Sequence, residues 1–67
     1  MRYKIGAAVR LAHRYDTHLG RLSADTPGVI LEIRHDRAKI RVEAGEIWID
    51  VNRLLPAQRA LEETNEL

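Results

Sequence analysis

Four short stretches in the second half of the chain have the composition and patterning of β-strands. They cover residues 29–33, 39–42, 46–51 and 54–56, with short breaks between them. Val, Ile and Trp suit a pleated, half-buried surface, and charged residues alternate with aliphatic ones from Lys39 to Val42. This alternation turns one face of each strand inward and the other towards water. The pattern therefore predicts a compact antiparallel sheet.

The first half of the chain contains one further predicted strand and a long connection. Apolar and polar residues alternate over residues 7–12, after a short lead-in. Residues 13–26 are mostly polar, and Leu19 and Leu22 are their only large aliphatic side chains. We interpret this stretch as a long loop that its two leucines hold against the fold. A helix over residues 11–19 is the alternative, which Thr17 and Gly20 disfavour.

Turn-forming residues separate the predicted strands. Pro27 and Gly28 predict a turn, because proline presets φ and glycine permits a positive φ. The imperfect alternation over residues 28–33 indicates a strand that is buried on both faces or broken by a bulge. Two further tight turns are predicted, at residues 35–37 and 44–45.

The end of the chain divides into a closing strand and a tail. Residues 52–56 predict a single 3₁₀ turn followed by a short last strand. Residues 57–67 are acidic and rich in helix formers, but they are too few for a stable isolated helix. We therefore expect one domain over residues 1–56 and a C-terminal tail over 57–67 that is helical or frayed.

Length and composition exclude several classes of protein. A chain of 67 residues forms one small domain that buries only about 60% of its unfolded surface. It contains no cysteine, which removes disulfides and thiolate metal sites and fits a reducing compartment. The first 20 residues contain several charges and no long apolar run, so we expect neither a signal peptide nor a membrane span. These features predict a cytoplasmic protein.

Charge is distributed unevenly along the chain. The formal net charge is only +1, yet residues 1–41 hold nine Lys and Arg against four Asp and Glu, whereas residues 42–67 hold two against six. Such asymmetry is typical of proteins that bind an acidic partner or associate head to tail. A simple solvating role for the charged residues is the alternative.

The order of the predicted elements identifies a possible fold. It runs from a strand with Val9 and Leu11 through a long loop, Pro27-Gly28, a tight hairpin, Gly45 and Trp48 to Leu54-Leu55-Pro56. This order resembles the SH3-like small β-barrels of the prokaryotic kind, and is similar to Tudor, KOW and retroviral-integrase C-terminal domains. The resemblance covers residues 4–56. It implies an all-β, five-stranded barrel with a long first loop, a 3₁₀ turn before the last strand and a short helical tail.

Members of this broad group bind nucleic acids, ribosomal partners or proline-rich and methylated peptides, or serve as accessory subunits. The aromatic side chains of this chain are Tyr3, Tyr15 and Trp48. They are too few for the aromatic groove that holds a polyproline helix or for a methyl-lysine cage. The resemblance thus predicts a binding protein without naming its ligand.

In the leading hypothesis, the chain is a non-catalytic interaction module or small accessory subunit. It binds a protein partner, or another copy of itself, through the long loop and the barrel edge. The candidate contact residues are Tyr15, Leu19, Leu22 and Trp48. Trp48 fills the core or contacts the ligand, and the absence of phenylalanine favours the core.

The alternative hypothesis is a barrel that binds the backbone of DNA or RNA. Its candidate residues are Arg10, Arg14, Arg34, Arg37, Lys39 and Arg41. Lys39 and Arg41 lie on the same face of their strand, and arginines on such a face bind phosphates in a salt-sensitive way. A solvated face, with its arginines paired to Glu32, Asp36 and Glu43, is also consistent with the sequence.

No residue set in the sequence supports a catalytic, metal or cofactor site. His13, Asp16 and His18 bring nitrogen and oxygen ligands into one loop, but nothing supplies the third or fourth ligand with its supporting shell. The carboxylates are scattered over strand and turn positions, and no phosphate-binding glycine loop is present. We therefore predict neither enzyme activity, nor a cofactor, nor a small-molecule substrate.

Overall fold

The computed structural model describes residues 3–57. This part of the chain forms seven β-strands and one 3₁₀ turn. The strands are β1 (Ala8–Leu11), β2 (Tyr15–Thr17), β3 (Gly20–Leu22), β4 (Pro27–Arg34), β5 (Arg37–Val42), β6 (Gly45–Asp50) and β7 (Leu54–Pro56), and the 3₁₀ turn spans Val51–Arg53. The predicted all-β class, the 3₁₀ turn and the last strand are confirmed. The predicted helical tail lies outside the described residues.

The main sheet has five antiparallel strands in the order β6-β5-β4-β1-β7. Within residues 3–57, β6 and β7 are the two edges of this sheet and do not pair with each other. The sheet is therefore open, and the expectation of a closed barrel is wrong. The 3₁₀ turn carries the chain from one edge to the other, which lets β7 pair with β1 without closing the ring.

The expected long loop after β1 contains a hairpin of its own, β2 paired with β3. Thr17 stabilises its turn, because its hydroxyl accepts a hydrogen bond from the Leu19 amide and donates one to the Gly20 carbonyl. Leu19 and Leu22 are half-buried and pack against the core, as the sequence predicted. The loop interpretation is thus wrong in part: the segment is held against the fold, but it is a β-ribbon.

The core lies on one face of the main sheet. Ten residues bury their side chains in it: Tyr3, Val9, Leu11, Ile30, Ala38, Ile40, Val42, Ile47, Ile49 and Leu54. Their spacing follows the period of two expected for strands, most clearly in β5 and β6. No polar or charged residue is buried within residues 3–57.

Two local details differ from, or refine, the sequence prediction. The register of β4 against β5 shifts between Ile30 and Glu32, which confirms the predicted bulge. The turn between β5 and β6 consists of Glu43 and Ala44, one position before the predicted one, since Val42 pairs with Gly45. In the described part of the chain, no helix has the length and apolarity needed to cross a membrane.

Candidate functional site

The outward face of β4, β5 and β6 carries four of the six candidate basic residues, which are Arg34, Arg37, Lys39 and Arg41. Arg37 lies between Arg34 and Asp50 in the cross-strand register. Lys39 lies between Glu32 and Trp48 in the next row. Side chains in such rows are direct neighbours, so the register alone places Trp48 within a charged surface.

The β-bulge decides which residues of β4 reach this face. Ile30 is buried in the core, and strict alternation would turn Glu32 and Arg34 towards the core as well. The extra residue at Leu31 reverses the alternation, so Glu32 pairs with Lys39 and Arg34 with Arg37 on the outer face. The bulge therefore brings Arg34 to the side of the sheet that carries Trp48.

Trp48 lies on the outward face of β6 and exposes 38% of its surface. The interpretation of Trp48 as a core residue is therefore wrong. The Arg34 guanidinium carbon lies 5.9 Å from the centroid of the Trp48 ring, within the range of a cation–π interaction. The tryptophan thus presents an apolar surface that is covered in part by a charged group.

Four of the six candidate phosphate-binding residues form ion pairs with carboxylates. Arg34 Nε lies 2.7 Å from Glu32 Oε2, Lys39 Nζ lies 3.3 Å from Glu46 Oε1, and Arg37 Nε lies 3.6 Å from Asp50 Oδ1. Arg10 pairs with Asp25 on another part of the surface. The basic residues of the sheet therefore alternate with acidic ones. Of the three carboxylates that the sequence suggested as partners, Glu32 does pair with an arginine.

The structure does not assemble the six basic residues into one patch. Arg37, Lys39 and Arg41 share one strand face, and Arg34 joins them through the bulge. Arg10 lies on β1, and Arg14 precedes β2, where it is exposed. Among the described residues, no ion pair is formed by Arg14 or Arg41.

A shallow cleft of about 380 Å³ opens beside Trp48. It is lined by Arg34, His35, Asp36, Arg37 and Trp48. The turn of His35 and Asp36 joins β4 to β5, and His35 adopts a left-handed conformation with φ of 55°. The amide of Val51 donates a hydrogen bond to the carbonyl of Asp36, which ties this turn to the start of the 3₁₀ turn. The turn that lines the cleft is therefore connected by its main chain to a second element.

The other candidate protein-binding residues lie elsewhere. Tyr15 is half-buried against the core, and the Arg53 guanidinium carbon lies 5.2 Å from its ring centroid. Neither Tyr15 nor the two leucines line the Trp48 cleft. The proposed loop contact and the Trp48 contact are thus two separate places on the molecule.

No motif in the sequence indicated that His35 and Asp36 line a cleft. The orientation of Trp48 does have a signal in the sequence, since Ile47 and Ile49 on either side of it require the core face. Within residues 3–57, no group of three or more His, Cys, Asp or Glu side chains is placed to hold a metal ion. No family model, curated protein or solved structure matches the chain.

Proposed function

We propose that the chain is a non-catalytic interaction module that binds a segment of a partner protein in the cleft beside Trp48. The observation that carries this proposal is the position of Trp48, which is outward-facing and borders a concavity lined by two arginines. Tryptophan and arginine are the residue types most enriched at the energetic centres of protein interfaces. A large apolar ring next to fixed charged groups provides both affinity and orientation.

We also propose that the module is a variant of the SH3-like fold whose sheet stays open. The order of elements supports this assignment: β1, a hairpin, the three-stranded meander β4-β5-β6, a 3₁₀ turn, and a last strand that returns to β1. Within residues 3–57, no strand pairs with the outer edge of β6, so an extended segment of a partner can add there. The edge of β7 is unsuited to pairing, because Pro56 has no N–H and the Leu54 carbonyl accepts its hydrogen bond from Tyr3. A partner that lies along β6 also reaches Trp48.

The ion pairs disfavour the alternative of backbone binding to DNA or RNA. On the outer face of β4, β5 and β6, four basic residues stand among three carboxylates. A nucleic-acid backbone places a phosphate at every nucleotide, and these carboxylates would repel it. Within residues 3–57, only Arg14 and Arg41 of the six candidates form no ion pair, and Arg14 lies outside the strand that carries Arg41.

The test is a selection of random peptides displayed on phage against the full chain, followed by binding of the labelled peptides in solution. The chain contains a single tryptophan, so tryptophan emission, excited selectively over the two tyrosines, reports changes in the surroundings of Trp48. We expect selected peptides to change the emission of Trp48. We also expect Trp48→Ala to weaken their binding at least about tenfold, as for an interface hot spot.

The matched control is Ile5→Ala, which removes an exposed aliphatic side chain, 67% accessible, outside the cleft. It should leave peptide affinity within about twofold of the parent chain. Peptides whose binding is unaffected by Trp48→Ala would contradict the proposal. Binding of DNA or RNA oligomers that weakens log-linearly with salt, in the absence of peptide binding, would establish the nucleic-acid alternative instead.

A further inference from the structure

Arg34 and Arg37 are directly opposite each other on neighbouring strands. They form the last pair of the β4–β5 ladder, on either side of the turn formed by His35 and Asp36. Like charges at directly opposed positions destabilise a sheet. The fold therefore keeps two positive groups together at the rim of the Trp48 cleft, where an anion between them would relieve their repulsion.

Each of these arginines makes its ion pair with a carboxylate through Nε. Arg34 uses Nε towards Glu32, and Arg37 uses Nε towards Asp50. Among the described residues, the Nη groups of both arginines make no hydrogen bond. A guanidinium group has five N–H donors in a fixed plane, so an Nε contact leaves the terminal pair able to bind a second carboxylate.

We propose that the ligand of the cleft is an acidic peptide segment, in which an Asp or Glu side chain binds the Nη groups of Arg34 and Arg37 and a neighbouring aliphatic or aromatic side chain packs on Trp48. This inference rests on the proposed function and adds the chemistry of the ligand to it. Glu32, which accepts a hydrogen bond from Arg34 Nε, and Asp50, which forms a longer ion pair with Arg37, act as positioning residues that orient the two guanidinium groups before the ligand arrives. Such preorganisation lowers the entropy lost on binding.

The charges around the cleft favour a single carboxylate over a polyanion. Asp36 is part of the cleft lining, and Glu32 and Asp50 flank the two arginines. The positive charge is therefore restricted to the two guanidinium groups, whose Nη atoms make no hydrogen bond among the described residues. One side-chain carboxylate fits this restricted region, whereas the regularly spaced phosphates of a nucleic acid would also meet the three carboxylates.

The test uses Arg34→Gln and Arg37→Gln in the full chain, with Arg14→Gln and Arg41→Gln as controls. Glutamine keeps much of the side-chain length and removes the charge, and within residues 3–57 neither control residue lines the cleft beside Trp48. We expect peptides selected on the parent chain to be enriched in Asp or Glu next to an apolar residue. Each cleft substitution should weaken them at least about tenfold, and each control by less than about twofold.

A second measurement leaves the protein unchanged, so it stands even where a variant is poorly folded. Replacing the acidic residue of a selected peptide with Gln or Asn should weaken its binding about tenfold. Binding that depends on Trp48 but has no acidic preference would overturn this inference and leave the proposed function intact. If no selected peptide requires Trp48 for its binding, the proposed function itself is overturned. A preference for oligonucleotides over acidic peptides would overturn the inference as well.

Discussion

The hydroxyl of Tyr3 donates a hydrogen bond to the main-chain carbonyl of Leu54, with 3.0 Å between the two oxygen atoms. The two residues are 51 positions apart in the chain, and both are buried. The bond connects the segment before β1 to the first residue of β7 across the core. A buried carbonyl needs a partner, so this contact makes the lead-in segment part of the domain.

We expect Tyr3→Phe to destabilise the fold by about 1 kcal/mol, since it removes the donor and leaves the Leu54 carbonyl without its partner in the core. Urea unfolding followed by circular dichroism measures the change in the free energy of unfolding. Tyr15→Phe is the matched control, because within residues 3–57 the Tyr15 hydroxyl forms no hydrogen bond with the protein. An equal effect of both substitutions would refute the role of the Tyr3 bond.

The ion pair between Arg10 and Asp25 lies at the surface, and we expect it to contribute little to stability. Asp25 has a φ of 68°, a conformation that asparagine also tolerates, so Asp25→Asn removes the charge without new backbone strain. The loss should stay below about 1 kcal/mol and shrink at high salt. Asp36→Asn serves as control, since Asp36 forms no ion pair among the described residues. A larger loss that is independent of salt would contradict this prediction.

Alternation in the sequence was sufficient to predict the strands of the main sheet, but not the surface that they present. The pattern of residues 39–42 and 46–51 corresponds to β5 and β6. The same alternation places Trp48, between the buried Ile47 and Ile49, on the outer face, whereas the absence of phenylalanine favoured a position in the core. The open edges could not be predicted, because no local sequence pattern shows whether the two outermost strands of a sheet pair with each other.

Neither the β2–β3 hairpin nor the cleft could be predicted from the sequence, and each has a physical reason. The strands of the hairpin have three residues each, too few to show a period, and side-chain bonds from Thr17 stabilise its turn. The cleft depends on the bulge at Leu31, since a shift by one residue exchanges the faces of a strand. The sequence allowed a bulge but gave no position for it, so the proximity of Arg34 to Trp48 could not be predicted.

Gly28 marks a close approach of β4 to β5. A Cβ atom at this position would lie 3.0 Å from the Arg41 carbonyl oxygen and 3.3 Å from a methyl group of Val42. The backbone cannot move away without disturbing the ladder, so we expect Gly28→Ala to destabilise the fold by about 1–3 kcal/mol. Thermal or urea unfolding measures this loss.

A double-mutant cycle identifies the atom responsible for the effect at Gly28. If the carbonyl of Arg41 is the obstacle, Val42→Ala should not rescue Gly28→Ala, and the coupling energy should stay below about 0.5 kcal/mol. A favourable coupling above that value would show that the side-chain contact with Val42 causes most of the destabilisation by Gly28→Ala. This outcome would mean that the Arg41 carbonyl is not the main obstacle to the added methyl group.

The outward position of Trp48 has a direct consequence for stability. Trp48 lies on the outer face beside Arg34 and Lys39 and exposes 38% of its surface, whereas the neighbouring Ile49 is fully buried. We expect Trp48→Ala to reduce the free energy of unfolding by about 1 kcal/mol, the scale of an exposed cation–π contact with some apolar packing. Ile49→Ala should cost about 2–5 kcal/mol, because it leaves a cavity in the core.

Fluorescence quenching tests, in the folded protein, whether Trp48 is exposed beside Arg34. Acrylamide should quench the emission of native Trp48 efficiently, and Arg34→Gln should increase the quenching further, because the guanidinium group no longer covers the ring. Arg41→Gln should leave the quenching unchanged, since Arg41 pairs in the register with Glu46 and not with Trp48. A tryptophan shielded from acrylamide, together with a stability loss as large as that of Ile49→Ala, would place Trp48 in the core and remove the surface on which both proposals depend.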